Sequence, residues 1–342
     1  MQLEQTLRTL CALPAVSGFE MQAAHTVAEL FRPYCDTVDG DKNGNVIGSL
    51  SCGKEGAKTV LLDAHLDQIG FLVTEVLDGG FLRFAPVGGV DPRVVIGRPV
   101  RFGDVQGVIG IKAVHLTTAA ERRTMPKTKD LYIDIGAASK AAAEDKVSLG
   151  DYGVFDSAVV EFGDGLIKAK AIDDRVGCAA LLKLIEDEPP IDTWFCFTVQ
   201  EEVGLRGAAS MAYALDPGFA MVLEGTTAAD LAEVEGGKAV CRVRGGVVLP
   251  FMDGATIYDA ELFELMRNAC DKRGIRWQTK TRVAGGTDAG RIHKSRAGVR
   301  VCAAAAPVRY IHSPSSVAAV ADCEAVLAAA RAFLEELGGN DE

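Results

Sequence analysis

Apolar and polar residues alternate with two different patterns along this chain. In its first and last parts, amphipathic segments with helical spacing, such as the one carrying Leu3, Leu7 and Leu10, are separated by continuous apolar runs such as Trp194–Val199. Runs of that kind are typical of strands that are buried on both faces of a sheet. A last amphipathic segment, about Val317–Leu337, predicts a C-terminal helix. Strands that alternate with helices predict an α/β fold.

The pattern changes between about Gly70 and Gly165. Short β-like runs alternate there with glycine-rich turns, and the stretch contains neither cysteine nor tryptophan. It predicts a small β-rich domain, residues 70–165, inserted into a discontinuous α/β domain made of residues 1–69 and 166–342. Within the insertion, the charged segment Glu121–Asp130 predicts an exposed loop.

Two local patterns in the α/β part give further expectations. Ser17-Gly-Phe-Glu20 has the spacing of a capping box and predicts the start of a helix that ends near Arg32. The short apolar run Ala239–Val243 predicts a strand.

Composition narrows the class of protein. The 342 residues suggest about two domains, and no apolar run approaches the ~20 residues that a membrane span needs. The N-terminus lacks the basic and apolar regions of a signal peptide. Nine cysteines scattered without a C-x-x-C pair favour free thiols, so we expect a cytoplasmic protein. A net charge of −11 without a basic run argues against nucleic acid or an anionic membrane as partner.

Two adjacent carboxylates, Glu201 and Glu202, follow the apolar run Trp194–Val199 and precede the turn residue Gly204. Carboxylates just beyond the C-terminal end of a buried strand stand where open α/β sheets place their chemistry. Because two neighbouring carboxylates repel each other, the pKa of one should be raised unless a cation neutralises the pair. An exposed acidic turn is the alternative interpretation.

Five acidic or imidazole residues share one context, because each follows a predicted buried strand. They are His65, Asp173, Glu202, Glu224 and His312. We expect them to converge on one edge of the sheet. Two histidines and three carboxylates without cysteine suit Zn²⁺, Co²⁺ or Mn²⁺, and one bridging carboxylate would give a two-metal site.

Two further residues complete this hypothesis. Asp67, two residues after His65, would hold the other ring nitrogen of that histidine. Glu201 and Glu202 face opposite ways on an ideal strand, but the turn at Gly204 would let both reach the site. Glu201 would then take a proton from water as a general base, with its pKa raised by burial and by the neighbouring charge.

The glycine-rich segment Gly285–Gly290, G-G-T-D-A-G, opens a short predicted helix. It is interpreted either as a turn with Thr287 or Asp288 as helix cap, or as a set of backbone N–H groups that contact substrate. It is not a P-loop, because it lacks the lysine and the spacing. His25 and His115 lie outside these motifs; we expect His25 to be a surface residue of its helix and His115 to be structural.

Five motifs together resemble those of metallopeptidase family 42, the glutamyl and tetrahedral aminopeptidases. They occur in the order A-H-L-D-Q-I-G, A-I-D-D-R-V-G, E-E-V-G-L-R-G-A, G-G-T-D-A-G and R-Y-I-H-S-P. The resemblance spans nearly the whole chain. It implies a mixed-sheet zinc-peptidase (phosphorylase/hydrolase-like) domain sandwiched by helices, interrupted by a PDZ-like β dimerisation domain. It also implies a twelve-subunit tetrahedral shell.

The resemblance also implies roles for the candidate residues. One metal ion would be held by His65, Asp173 and Glu224, and the other by Asp173, Glu202 and His312. Asp173 would bridge the ions, Glu201 would be the general base, and Asp67 would support His65.

The chain departs from the common family pattern at three places. Glu224 stands where the family usually has Asp, and Asp174 where Asn is common. The segment Arg244–Pro250, R-G-G-V-V-L-P, replaces the usual G-x-G-P.

These features predict a cytoplasmic aminopeptidase with two divalent metal ions per subunit, Zn²⁺ or else Co²⁺ or Mn²⁺. A metal-activated water, deprotonated by Glu201, would release the first residue of short peptides that have a free N-terminus. We expect self-association as a dimer or as the full shell. The first alternative is a dinuclear N-acyl-amino-acid deacylase or amidase. The second is a scaffold that keeps the assembly without catalysis.

Overall fold

The computed structural model describes residues 2–339. Within them the α-helices are α1 (Leu3–Ala12), α2 (Met21–Phe31), α3 (Pro92–Val95), α4 (Lys140–Glu144), α5 (Ile172–Glu186), α6 (Arg206–Leu215), α7 (Ala260–Arg273), α8 (Ala289–Ile292) and α9 (Val320–Gly339). None of the helices in this part of the chain has the length and apolarity needed to cross a bilayer.

Seventeen strands occur within the same residues. They are β1 (Thr37–Gly40), β2 (Val46–Leu50), β3 (Thr59–His65), β4 (Gly70–Val76), β5 (Phe81–Val87), β6 (Pro99–Phe102), β7 (Val105–Ile111), β8 (Leu131–Asp134), β9 (Tyr152–Phe155), β10 (Val160–Glu161), β11 (Leu166–Ala169), β12 (Asp192–Thr198), β13 (Phe219–Thr227), β14 (Val247–Val248), β15 (Trp277–Gln278), β16 (Arg300–Val308) and β17 (Ser316–Ala319).

The main sheet is mixed and has eight strands in the order β1-β2-β12-β3-β13-β16-β14-β15. Its centre, β12-β3-β13-β16, is parallel, so the carboxyl ends of these four strands lie along one edge. Apolar side chains of α1, α2, α5, α7 and α9 pack with the sheet in the largest hydrophobic cluster. Side chains of α6 and α8 belong to a separate cluster with other residues of the same strands. The mixed α/β architecture predicted from the sequence is confirmed.

Residues 70–155 contain six strands that close into a barrel in the order β4-β5-β8-β7-β6-β9. The barrel has a hydrophobic core of its own, in which Phe71 is fully buried and makes edge-to-face contacts with Phe84 and Phe155. Glu121–Asp130 lies outside the barrel strands, mostly in short 3₁₀ turns, and is largely exposed, as the charge pattern indicated. The PDZ-like character of the insertion and its boundaries at 70 and 165 stay predictions.

The predicted strand Ala239–Val243 is wrong. Ala239 ends a 3₁₀ turn, and Val240 has a positive φ of 61°. The backbone N–H groups of Arg242 and Val243 are bound by side chains instead of a strand, since Arg242 donates to Gln278 Oε1 and Val243 donates to the Asp230 carboxylate.

Two helix starts also differ from their predictions. The final helix was expected to start at about Val317, but α9 starts at Val320. The residues just before it form strand β17, which pairs antiparallel with β11. The capping box is absent as well, because the Ser17 hydroxyl donates to Asp67 and Glu20 occupies the N-cap position of α2 without a side-chain cap.

Candidate metal centre

The predicted site residues meet at the carboxyl edge of the main sheet, although not all by the expected route. His65 is the last residue of β3, Glu202 lies in the loop after β12, and His312 lies between β16 and β17. Glu224 lies inside β13, three residues before its end. Asp173 comes from the first turn of α5, where its backbone is not helical, and the strand before it, β11, belongs to a separate three-stranded sheet. The expectation that all five follow strands of one sheet is therefore wrong for Asp173 and Glu224.

Two groups of possible ligand atoms share the carboxylate of Asp173. In the first, His65 Nε2 lies 3.4 Å from Asp173 Oδ1 and 3.4 Å from Glu224 Oε1. In the second, His312 Nε2 lies 3.5 Å from Asp173 Oδ2 and 3.1 Å from Glu202 Oε2. The Asp173 carboxylate thus lies between the two imidazoles.

The chemistry of these groups fits divalent metal ions. Each group offers one imidazole nitrogen and carboxylate oxygens, the donors that Zn²⁺, Co²⁺ and Mn²⁺ accept. Asp173 Oδ1 is buried and has no hydrogen-bond partner among the described residues. A buried carboxylate oxygen without a donor is costly unless a cation satisfies it.

The protonation of the two imidazoles reflects the carboxylates around them. Burial alone would lower the pKa of His65, but Glu224, Glu201 and Asp173 raise it well above the ordinary value. Burial would also lower the pKa of His312, but Asp173 and Glu202 raise it to about 11. Without a bound cation, protons on the histidines therefore compensate the charge of the carboxylates.

Asp67 fixes the backbone of both adjacent glutamates. Its fully buried carboxylate accepts the N–H of Glu201 at 2.9 Å and of Glu202 at 3.2 Å, and the hydroxyl of Ser17 at 2.5 Å. His65 Nδ1 lies 3.1 Å from the Asp67 carbonyl oxygen and 3.5 Å from its carboxylate. Burial would raise the pKa of Asp67, but the His65 and Ser17 contacts hold it below its ordinary value.

Glu201 and Glu202 face the same cleft because the backbone turns out of the strand just before them. Gln200 has a positive φ of 58°, which ends the alternation of β12, and the Leu205 N–H closes a turn on the Glu201 carbonyl. Glu201 is not in either ligand group; its Oε2 lies 3.9 Å from His65 Nε2. Burial, and then the charges of Glu224 and Asp288, raise the pKa of Glu201 well above its ordinary value.

Asp174 was noted in the sequence only because Asn is common at its position. Its buried carboxyl accepts the backbone N–H of His65 at 3.2 Å and that of Gly177 at 2.9 Å. It thereby ties the start of α5 to the end of β3. Burial raises the pKa of Asp174 well above its ordinary value, which favours the neutral carboxyl.

An open cleft of about 460 Å³ gives access to these groups. Its wall includes both histidines and four carboxylates. The remaining lining residues include Thr226, Thr227, Lys280 and the segment 284–287. Lys280 carried no sequence signal, because it follows a two-residue strand and belongs to no motif.

The glycine-rich segment lines the cleft only through its first half. Thr287 faces the cleft, whereas Asp288 is buried, accepts a hydrogen bond from the Thr198 hydroxyl at 2.7 Å, and stands at the N-cap of α8 without capping it. His25 and His115 are exposed and lie outside both ligand groups.

Several known proteins are similar to this chain over most of its length. The sequence profile described as M42 glutamyl aminopeptidase matches residues 44–328. A putative aminopeptidase of Acetivibrio thermocellus is 36% identical over 318 residues, covering 92% of this chain and 93% of its own. The lysyl aminopeptidase of Pyrococcus furiosus is 30% identical, covering 97% of each chain.

A solved structure shares the whole fold. It is that of the TET1 peptidase of Pyrococcus horikoshii, described as able to assemble into a tetrahedron or a large octahedral shell. It is 30% identical, with a TM-score of 0.84 and coverage of 97% of this chain and 98% of its own. The profile matches residues 44–328, and the relatives and the solved structure each cover at least 92% of the chain, so this chain belongs to the M42 glutamyl aminopeptidase family.

Proposed function

We propose that this chain is an aminopeptidase that uses two divalent metal ions to hydrolyse the first peptide bond of short peptides. The observation that carries the proposal is the Asp173 carboxylate, whose two oxygens lie 3.4 and 3.5 Å from the imidazoles of His65 and His312. One ion would be held by His65, Asp173 and Glu224, and the other by Asp173, Glu202 and His312. Glu224 extends from β13 to His65, so the longer side chain reaches the group where the family usually has Asp.

Divalent ions held by these residues would supply Lewis acidity toward the scissile carbonyl and lower the pKa of a bound water molecule. Glu201 would take a proton from the attacking water and return it to the leaving amine, a role for which its buried position and raised pKa suit it. Asp67 is a positioning residue, since it holds the Glu201 and Glu202 N–H groups and thereby sets where both carboxylates point. The carboxylate-rich wall of the cleft also favours the α-ammonium group of a free N-terminus.

We further propose that residues 70–165 form a domain through which the chain self-associates. The closed barrel within this range has a separate hydrophobic core, as expected of an independent domain. The P. horikoshii TET1 peptidase, described as able to assemble into a tetrahedron or a large octahedral shell, supports assembly into a shell. A dimer and a twelve-subunit tetrahedron are distinguished by light scattering.

The deacylase alternative is not favoured, because the relatives reported above are named aminopeptidases. Preference for one N-terminal side chain is a separate matter. The family is named for glutamyl aminopeptidase, whereas the P. furiosus relative is named lysyl aminopeptidase. Family membership therefore leaves that preference open.

Glu201→Gln tests the assigned base. The substitution keeps the shape of the side chain but removes its basicity, so we expect turnover of aminoacyl anilides to fall about 10²–10⁴-fold. Binding of metal ions, measured by calorimetry, should be retained because Glu201 belongs to neither ligand group. Glu144→Gln, on the exposed side of α4, is the matched control and should leave turnover unchanged. Turnover of Glu201→Gln within a few-fold of the unsubstituted enzyme would show that another group is the base.

A further inference from the structure

Two glycines of the inserted barrel, Gly88 and Gly89, lie against the second group of candidate metal ligands. They directly follow strand β5. The Gly89 carbonyl oxygen lies 3.1 Å from His312 Nδ1. Gly88 lies beside Glu202, since a Cβ atom at Gly88 would be 3.3 Å from Glu202 Cβ. The barrel therefore contacts two of the three residues of this group.

A third residue of the barrel is close to the same group. Phe155, the last residue of β9, belongs to the hydrophobic core of the barrel. It lines a cavity of about 10 Å³ together with Asp173, Glu202 and His312, which are all three ligands of the second group.

The first group is held in a different way. His65 is the last residue of β3 and is only 2% exposed, and its Nδ1 contacts Asp67 two residues further along the chain. The Glu224 carboxylate accepts the N–H of Gly225. These contacts all lie within the α/β part of the chain, whereas the second group also depends on the barrel.

His312 has little other support. It lies in the loop between β16 and β17, and 33% of its side chain is exposed. Within residues 2–339 its ring makes one hydrogen bond outside the ligand group, which is the one to the Gly89 carbonyl. Because a carbonyl oxygen can only accept, this contact keeps a hydrogen on Nδ1 of the neutral ring and leaves the lone pair on Nε2. Nε2 is the atom close to the carboxylates of Asp173 and Glu202.

We propose that Gly89 is a positioning residue for His312, so that the inserted barrel sets how tightly the second metal ion is bound. This inference rests on the two-metal function proposed above. A side chain at either glycine would interfere with the contact. A Cβ atom at Gly89 would lie 3.1 Å from His312 Nδ1, and one at Gly88 would lie 2.7 Å from Ile69 Cγ2. The glycine pair thus lets the barrel backbone approach the ligands closely.

Gly89→Ala tests the proposal, because its Cβ atom would push the His312 ring away from the carbonyl oxygen, while its φ, which is not positive, suits alanine. Calorimetric titration of the metal-free, full-length protein with Zn²⁺ or Co²⁺ measures both ions. In Gly89→Ala we expect the affinity for one ion to fall about 10–100-fold and that for the other to stay unchanged. In a His312→Ala background the same substitution should cause no further loss, because the partner of the carbonyl is already absent.

Gly79→Ala is the matched control within the barrel. Gly79 lies in the turn between β4 and β5, its φ is not positive, and a Cβ atom there would make only an ordinary contact with Phe81, at 3.4 Å. This variant should bind both ions as the unsubstituted protein does. Urea unfolding of the chelated proteins should give the same midpoint for Gly89→Ala as for the unsubstituted protein, since positioning of a metal ligand does not stabilise the metal-free fold.

The other outcomes overturn the proposal, each in a different way. Equal losses of affinity for both ions, or a further loss in the His312→Ala background, would show that Gly89 acts on the fold and not through His312. Two ions bound by Gly89→Ala with unchanged affinity would refute the positioning role and leave the two-metal function intact. If the unsubstituted protein binds neither ion, the proposed function itself fails, and this inference fails with it.

Discussion

The buried acidic residues around the candidate metal centre have different roles, and the hydrogen bonds of each residue indicate which role it has. Asp173 Oδ1 is buried without a hydrogen-bond donor among the described residues, as expected of a carboxylate oxygen that is a metal ligand. Asp67 and Asp174 instead accept backbone N–H groups of the metal-centre residues and so hold them in position. Glu20 also accepts backbone N–H groups, since its Oε1 accepts that of Gly18 at 2.7 Å and that of Gln200, the residue before Glu201, at 3.1 Å.

Glu20 gives a prediction for stability against pH. Burial raises its pKa from 4.5 to about 7, partly opposed by the Gly18 N–H. A carboxyl with a raised folded-state pKa contributes stability that is present below its unfolded pKa and lost as the pH rises through the folded one. Glu20→Gln keeps an oxygen for both N–H donors and has no charge to bury. Its stability relative to the unsubstituted protein should therefore rise by ~2 kcal/mol between about pH 5.5 and pH 8.5.

Urea unfolding at the two pH values measures this difference. Glu29→Gln, on the exposed face of the same helix, is the control and should leave the pH dependence unchanged. An advantage of Glu20→Gln that is equal at both pH values would mean that Glu20 does not titrate differently in the folded protein.

At the scale of elements, long periodic segments were predictable and short ones were not. The apolar run before Glu201 is strand β12, and the amphipathic segment that carries Leu3, Leu7 and Leu10 is helix α1. Most of the four-residue strand β17 falls within the predicted final helix, because hydrophobic periodicity does not distinguish a short buried strand from a buried helical turn. The loop around Val240 was missed because carboxylates from distant segments bind its N–H groups, and no local pattern encodes such contacts.

The candidate site was predictable for a different reason. Several of its residues lie at the ends of apolar runs or beside turn glycines, both of which are visible in the sequence, as at His65 and Glu202. Asp173 was expected at this edge because a strand precedes it. That strand, β11, belongs to a different sheet, and Asp173 reaches the edge from the first turn of α5. Lys280 and the Ser17 contact to Asp67 depend on tertiary packing alone, so the sequence gives no sign of them.

The packing between α6 and the Glu201 turn leads to a prediction at this scale. A Cβ atom at Gly207 would collide with Asn45 Oδ1 and with the Val199 carbonyl. Asn45 itself bridges the two elements, accepting the Val199 N–H and donating to the Gly207 carbonyl, both at 3.0 Å. Gly207→Ala should therefore destabilise the fold by about 1–3 kcal/mol, despite the better helix propensity of alanine.

Urea unfolding measures that loss, and kcat for an aminoacyl anilide should fall with it because the glutamate turn is displaced. Gly218→Ala is a matched control, since the space around Gly218 is open and its φ is not positive. If Gly207→Ala unfolds at the same urea concentration as the unsubstituted protein, the α6 contact is not as tight as the geometry indicates.

For the whole molecule, the net charge is −11, and four of the acidic side chains lie close together in one cleft. Asp173, Glu201, Glu202 and Glu224 face one cleft that also contains both histidines. Folding brings these acids together, and like charges at close range oppose it. Two divalent cations would remove that repulsion in the folded state and would find no such site in the unfolded chain.

Metal ions should therefore stabilise the entire fold. At a free concentration about 100 times the Kd, binding adds ~2.7 kcal/mol, which should raise the Tm by several degrees over the chelated protein. Differential scanning calorimetry with Zn²⁺ or Co²⁺, and then with a chelator, measures the change. His312→Ala should lose much of the increase, whereas His115→Ala, at an exposed position in the β-rich segment, should keep all of it. A Tm that does not respond to either ion would contradict metal binding by these residues, because five converging ligands cannot bind a cation without stabilising the state that assembles them.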